Sequence, residues 1–176
     1  MSFTVRALDK TRDRKGVEAV ETAFETEVVF DLVTTARRIE LVERRLAQPM
    51  TKRYDIGEVF APWARWTRGW VAEDSARTIQ GFATAQYEGW NGRAILWFLY
   101  IAPAWRKRGV GRALVGEVEA FARKSGASHV WLETSTVNVP GVTAYEHLGF
   151  SLVGADRLLY GEYMPNEQAI YLAKSL

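Results

Sequence analysis

The chain has 176 residues, 48% of them hydrophobic, enough to build one domain around its own core. Its 23 Lys and Arg against 21 Asp and Glu leave a formal net charge of +2, which argues against a chain-wide grip on nucleic acid. Cysteine is absent, excluding disulfides, thiolate metal ligands and cysteine nucleophiles, and the two histidines, His129 and His147, have no metal-ligand spacing, so no metal is expected.

The N-terminal stretch MSFTVRALDKTRDRKG is charged early and lacks a long apolar run, unlike a signal peptide. Phe3 to Leu8 predicts a first strand. Val17, Val20, Phe24 and Val28 fall at helical spacing and predict a helix over 13–30. Ile39, Val42 and Leu46 share one face of a second predicted helix over TTARRIELVERRLA, with Pro49 as its stop. Residues 51–67 have no clean period and read as a long aromatic loop. GWVAED and TIQGFATAQYE read as strands joined by DSAR, and Asn91-Gly92 marks the next tight turn. The longest apolar run, AILWFLYIAPAW, is too short to span a bilayer and reads as a buried strand. A helix over 110–125 follows, with Val110, Leu114, Val118 and Phe121 on one face and Gly126 as its stop. SHVWLETST predicts a strand, VPGVTAYEHLGF a short helix, and FSLVGADRLLYGE and EQAIYLAKSL two closing strands. Residues 1–176 thus read as one α/β (α+β) domain, a mixed, mostly antiparallel sheet with helices on its faces. No membrane segment and no nucleic-acid partner are expected, and a cytoplasmic protein is the default.

The stretch WRKRGVGR stands where a strand hands over to a helix. The first turn of a helix has unpartnered N–H groups and the positive end of the dipole. Gly109 and Gly111 let the backbone approach a ligand closely, and Arg106, Lys107, Arg108 and Arg112 add charge, which suits an anion, most naturally phosphate. A solvated basic turn softened by glycine is the alternative. Neither a Walker A loop nor a full dinucleotide fingerprint is present.

Arg106-x-x-Gly109-x-Gly111 resembles the pyrophosphate-binding signature of the GNAT superfamily of acyl-CoA-dependent N-acetyltransferases. NVPGVTAYEHLGF is similar to a second element of that superfamily, with Asn138, Tyr145, Gly149 and Phe150 in place, and the resemblance covers roughly residues 68–162. Trp90-Asn91-Gly92, Leu132-Glu133-Thr134 and Gly154…Leu159-Tyr160 are similar to stretches of the streptothricin acetyltransferase group. The resemblance implies the GNAT fold, with two parallel strands splayed around the pantetheine arm, acetyl-CoA as cosubstrate and a homodimer. It places Leu99, Tyr100 and Ile101 along the pantetheine, with the N–H of Ile101 at the thioester oxygen. It places Arg106, Lys107, Arg108, Gly109, Val110, Gly111 and Arg112 at the pyrophosphate. Asn138 either meets the pantetheine or caps the short helix. Tyr145 stands where the superfamily has its general acid, or is a helix-face aromatic in register with Val142 and Leu148. Glu133 is the candidate base, or an outward strand residue paired with a cation. The streptothricin group carries acidic residues where this chain has Trp97 and Phe98, so the acceptor side differs. There Tyr87, Trp90, Trp97 and Tyr160 are candidates for binding the substrate, through stacking or attraction of a cation. The implied activity is acetyl transfer to a primary amine of a small molecule, a streptothricin-like antibiotic among them, which would give antibiotic resistance. A protein or peptide N-acetyltransferase and a non-catalytic acyl-CoA-binding regulatory module are the alternatives.

Overall fold

A computed structural model describes residues 2–176. In chain order the elements are β1 (Phe3–Ala7), α1 (Arg14–Glu18), β2 (Phe24–Thr35), β3 (Arg38–Lys52), β4 (Arg68–Asp74), β5 (Ile79–Glu88), β6 (Arg93–Ile101), α2 (Val110–Lys124), β7 (His129–Ser135), α3 (Val139–His147), β8 (Ser151–Asp156) and β9 (Ala169–Ser175). Short 3-10 turns at Ile56–Phe60 and Pro103–Trp105 interrupt the loops. The chain divides into two compact units. One holds the residues up to Ala23 with Arg53–Val130 and Ser175–Leu176; the other holds Phe24–Lys52 and Trp131–Lys174.

In the first unit the strands take the order β1-β4-β5-β6, and every neighbour is antiparallel. The amphipathic face of α2 buries Leu114, Val115, Val118 and Ala122 beside β5 and β6. Gly81 on β5 makes this approach feasible. A Cβ there would lie 2.9 Å from the Tyr100 carbonyl oxygen and 3.3 Å from a Val110 methyl. Val17, Val20, Ile56, Val59, Trp66, Val71, Ile79 and Phe82 form a core cluster beneath α1. The same corner is cross-linked by charge. Arg6 on β1 donates to both oxygens of Asp13, at 2.6 and 2.9 Å, and to Glu73 on β4. Asp13 and Glu73 are almost fully buried there.

The second unit departs most from the pattern in the sequence. The helix expected over 13–30 ends at Glu18, and Phe24–Thr35 is a strand. The second expected helix is β3, antiparallel to β2 from Thr35↔Arg38 to Phe24↔Lys52. The β-branched and aromatic run Val28-Val29-Phe30 fits a pleated surface better than a helix, and Val29 is buried. Lys52 at the end of β3 forms an ion pair with Glu167, whose other oxygen accepts from the Ser135 hydroxyl. The Phe30 N–H donates to Thr136 at 3.0 Å, fixing the hairpin to the end of β7. The strands β7, β9 and β8 lie in that order, β8 antiparallel to β9. The strand expected over 150–162 stops at Asp156, because the Asp156 carboxylate accepts from the N–H groups of Leu158 and Leu159 and turns the chain.

Candidate active site

The basic loop is shaped from within. Pro103–Trp105 closes a 3-10 turn, and the N–H of Arg106 donates to the Pro103 carbonyl at 3.2 Å. The Arg106 guanidinium turns inward, donating to the carbonyls of Ile101 at 3.0 Å, Thr22 at 3.3 Å and Ala23 at 2.8 Å. Lys107 and Gly109 both have positive φ, 59° and 85°, which curls the backbone back over the mouth of α2. No side chain caps this helix, and its ladder starts with the Ala113 N–H on Gly109, so the N–H groups of Val110, Gly111 and Arg112 have no acceptor within the helix. Space is open within 4 Å of where a Gly109 Cβ would stand. Lys107, Arg108 and Arg112 are exposed around it, Arg108 donating through Nε to Ala104 at 2.8 Å. The loop offers an anion open N–H groups, a dipole and three exposed cations, while Arg106 braces it from behind.

On β6, Thr84 pairs with Phe98 and Ala85 with Leu96, so Trp97 is the extra residue of a β-bulge. Bulges re-aim side chains and free backbone groups. Trp97 donates to the Gln86 side chain at 3.1 Å and lies 6.3 Å from the rings of Trp63 and Phe98. Tyr100 packs on Tyr54 at 5.5 Å and on Phe82 at 5.6 Å. Leu99 and Ile101 are half-buried beside it. Tyr87 is half-buried near the end of β5, whereas Trp90 is 84% exposed at the turn and touches no part of this aromatic row. The bulge and the inward role of Arg106 leave no mark in the sequence, since the first depends on the register against β5 and the second on the carbonyls of Thr22 and Ala23, more than 80 residues away.

In the second unit Glu133 on β7, Tyr145 on α3 and Tyr160 after β8 come together. The Tyr160 hydroxyl donates to Glu133 Oε1. Desolvation raises the Glu133 pKa, even though the residue keeps an open face to solvent, and the Tyr160 hydrogen bond opposes that rise. Burial, with the Glu133 charge as a second cause, pushes the Tyr145 hydroxyl well above the usual phenol range. Tyr171 on β9 is raised too, by desolvation and then by the charges of Asp156 and Glu133. Tyr145 is therefore a protonated donor at neutral pH beside a carboxylate. Asn138 caps α3 through Oδ1, which accepts from the Gly141 N–H at 3.2 Å, while its Nδ2 donates to Thr134 at 2.9 Å. Thr134 lies in the Leu132-Glu133-Thr134 stretch the sequence offers, but its bond to Asn138 is not legible there, and neither Gly141 nor Tyr171 stands out in the sequence pattern.

Comparison with known proteins adds to this geometry. The Acetyltransferase (GNAT) family pattern matches residues 34–150. A streptothricin acetyltransferase of Streptomyces lavendulae is 33% identical over 168 residues, 92% of this chain and 89% of that protein. The crystal structure of nourseothricin acetyltransferase superposes with a TM-score of 0.88 at 35% identity, covering 99% of each chain. A protein of Bacillus anthracis str. Ames, assigned as a streptothricin acetyltransferase and solved in complex with acetyl coenzyme A, superposes with a TM-score of 0.84 at 24% identity, over 100% of this chain and 99% of its own. These superpositions show the mixed α/β, mostly antiparallel fold expected from the sequence.

Proposed function

The chain belongs to the acetyltransferase (GNAT) family, and we propose that it acts in the cytoplasm, as one domain, to move an acetyl group from acetyl-CoA directly onto a primary amine of a streptothricin-like antibiotic. The observation that carries this reading is the half-buried, protonated Tyr145 hydroxyl facing the Glu133 carboxylate. Acyl transfer to an amine needs a group that takes a proton from the ammonium and a group that gives one to the departing thiolate. Glu133 takes the proton of the incoming ammonium, the nitrogen attacks the thioester carbonyl, the C–N bond forms and the C–S bond breaks. Tyr145 then donates its proton to the thiolate, the nitrogen's second proton restores the Tyr145 phenol, and Glu133 gives its proton to solvent, leaving an amide and the free thiol of CoA.

The basic loop suits the cosubstrate. The N–H groups from Lys107 to Arg112 hold the pyrophosphate, and the exposed Lys107, Arg108 and Arg112 add charge. Arg106 serves from beneath by bracing the loop on Ile101, Thr22 and Ala23. Leu99, Tyr100 and Ile101 follow the pantetheine arm, and Asn138 acts through the start of α3. On the acceptor side, Trp97 with its aromatic neighbours and Tyr87 offer ring faces that attract a cation.

The test is release of CoA thiol from acetyl-CoA with streptothricin as acceptor, read with a thiol dye. The protein has no cysteine and adds no background. Saturable release is expected, and Tyr145→Phe should lose about 10²–10⁴-fold in kcat while still binding CoA. Tight CoA binding without turnover of streptothricin, other small amines or peptides would replace the enzyme by a binding module.

A further inference from the structure

The turn after β8 is built around one side chain. Asp156 accepts from Leu158 and Leu159, the Gly161 N–H donates to Leu158 and the Tyr163 N–H to Tyr160, each within 3.0 Å. Residues 157–163 are all exposed except Tyr160. Leu158 is 84% exposed and Leu159 51%, so the segment does not fold back to bury its most apolar residues. It delivers the Tyr160 ring inward instead, and the hydroxyl ends on Glu133 Oε1. Among the described residues Glu133 has no cationic partner, and the group that faces it from this turn is Tyr160. Tyr145 faces it from α3, and Tyr171 on β9 feels both it and Asp156 of β8.

We propose that Tyr160 is a positioning residue for Glu133: its hydroxyl holds one carboxylate oxygen in place, leaving the other oxygen to take the proton of the acceptor ammonium. This rests on the acetyl-transfer reading above. Without the donated hydrogen bond, desolvation acts on Glu133 unopposed and raises its pKa further. The exposed turn is then the part of the protein that sets the lower pH limit of the reaction.

Two measurements on Tyr160→Phe test the proposal together. The first follows the Glu133 carboxyl carbon by NMR in protein labelled with carboxyl-¹³C glutamate, assigned with Glu133→Gln. The second is the pH profile of kcat/KM with acetyl-CoA and streptothricin. A charge-assisted hydrogen bond of ordinary strength corresponds to an upward move of the Glu133 midpoint by about one pH unit. The acidic limb of the profile should move up by the same amount, with kcat falling and KM for acetyl-CoA unchanged. An unmoved carboxyl midpoint overturns the proposal, whatever the activity. A carboxyl that moves while the limb stays fixed overturns the catalytic consequence, because the contact then does not reach the reaction. A carboxyl that moves in a protein with no turnover on any amine sinks the acetyl-transfer reading itself, a result distinct from either of the others.

Discussion

Gly141 has no room for a side chain. A Cβ there would run into the amide of Asn138, which at the same time accepts the Gly141 N–H and donates to Thr134. Gly141→Ala must push Asn138 away, and the loss of a side-chain cap should cost about 1–2 kcal/mol in urea unfolding. Gly116, exposed in the middle of α2 with nothing within 4 Å of its Cβ direction, is the control. Gly116→Ala should stabilise by up to about 1 kcal/mol through helix propensity alone. Equal effects at both sites would mean that the cap contributes nothing. The contrast marks what single residues reveal in a sequence. Asn138 stands out because its residue type suits a cap, and Glu133 and Tyr145 because their segments resemble those of known acetyltransferases. The glycine three residues on does not, because its role is to leave space for a side chain whose position only the folded chain defines. The bond from Tyr160 to Glu133 spans 27 residues and is invisible for the same reason.

The strands β4 to β7 and β9, with α2 and α3, follow the sequence pattern closely, because each is bounded by its own turn chemistry, whereas β8 is cut short by the Asp156 turn. The β2–β3 hairpin does not. Glu and Arg are good helix formers, and Ile39, Val42 and Leu46 happen to fall at helical spacing. The turn that would have signalled a hairpin is the two-residue Ala36–Arg37, without the Gly, Asn or Asp that such loops favour. Pairing with β2 decides the matter, and a long-range pairing leaves no period in the local sequence. The two readings differ in energy. On an amphipathic helix Ile39 and Val42 would be core residues, and polar replacement would cost several kcal/mol, about 2–5. On the hairpin they are 44% and 43% exposed. Ile39→Thr and Val42→Thr should therefore each change the unfolding free energy by less than about 0.5 kcal/mol. A large loss at either position would restore the helix.

A net charge of +2 hides how unevenly the charges are used across the molecule. Arg6, Asp13 and Glu73 come from β1, the start of α1 and β4, and meet in a corner where both carboxylates are almost fully buried. The hydrogen bonds from Arg6 hold Asp13 well below the usual carboxylate range, and they lower Glu73 as well. A carboxylate whose folded pKa is depressed stabilises the protein above its unfolded pKa, and that contribution drains away as the pH falls toward the folded value. Glu133 and Glu58, both raised by desolvation, work in the opposite sense, since folding makes them easier to protonate. The buried pair has the larger influence, because Arg6 binds both of its members and solvent screens neither. Stability should thus decline steadily once the pH drops below about 4. Asp13→Asn removes one member and leaves Arg6 and Glu73 in place. It should cost about 3 kcal/mol at pH 7, as breaking a buried ion pair does. It should also flatten the acid limb of the stability curve, measured as urea midpoints from pH 7 to pH 2. A variant that loses stability at pH 7 but keeps the wild-type slope would show that acid sensitivity lies elsewhere, with the many exposed carboxylates acting through net charge. A variant that is both weaker and flatter would assign that sensitivity to one corner of the fold, joined by residues up to 67 positions apart.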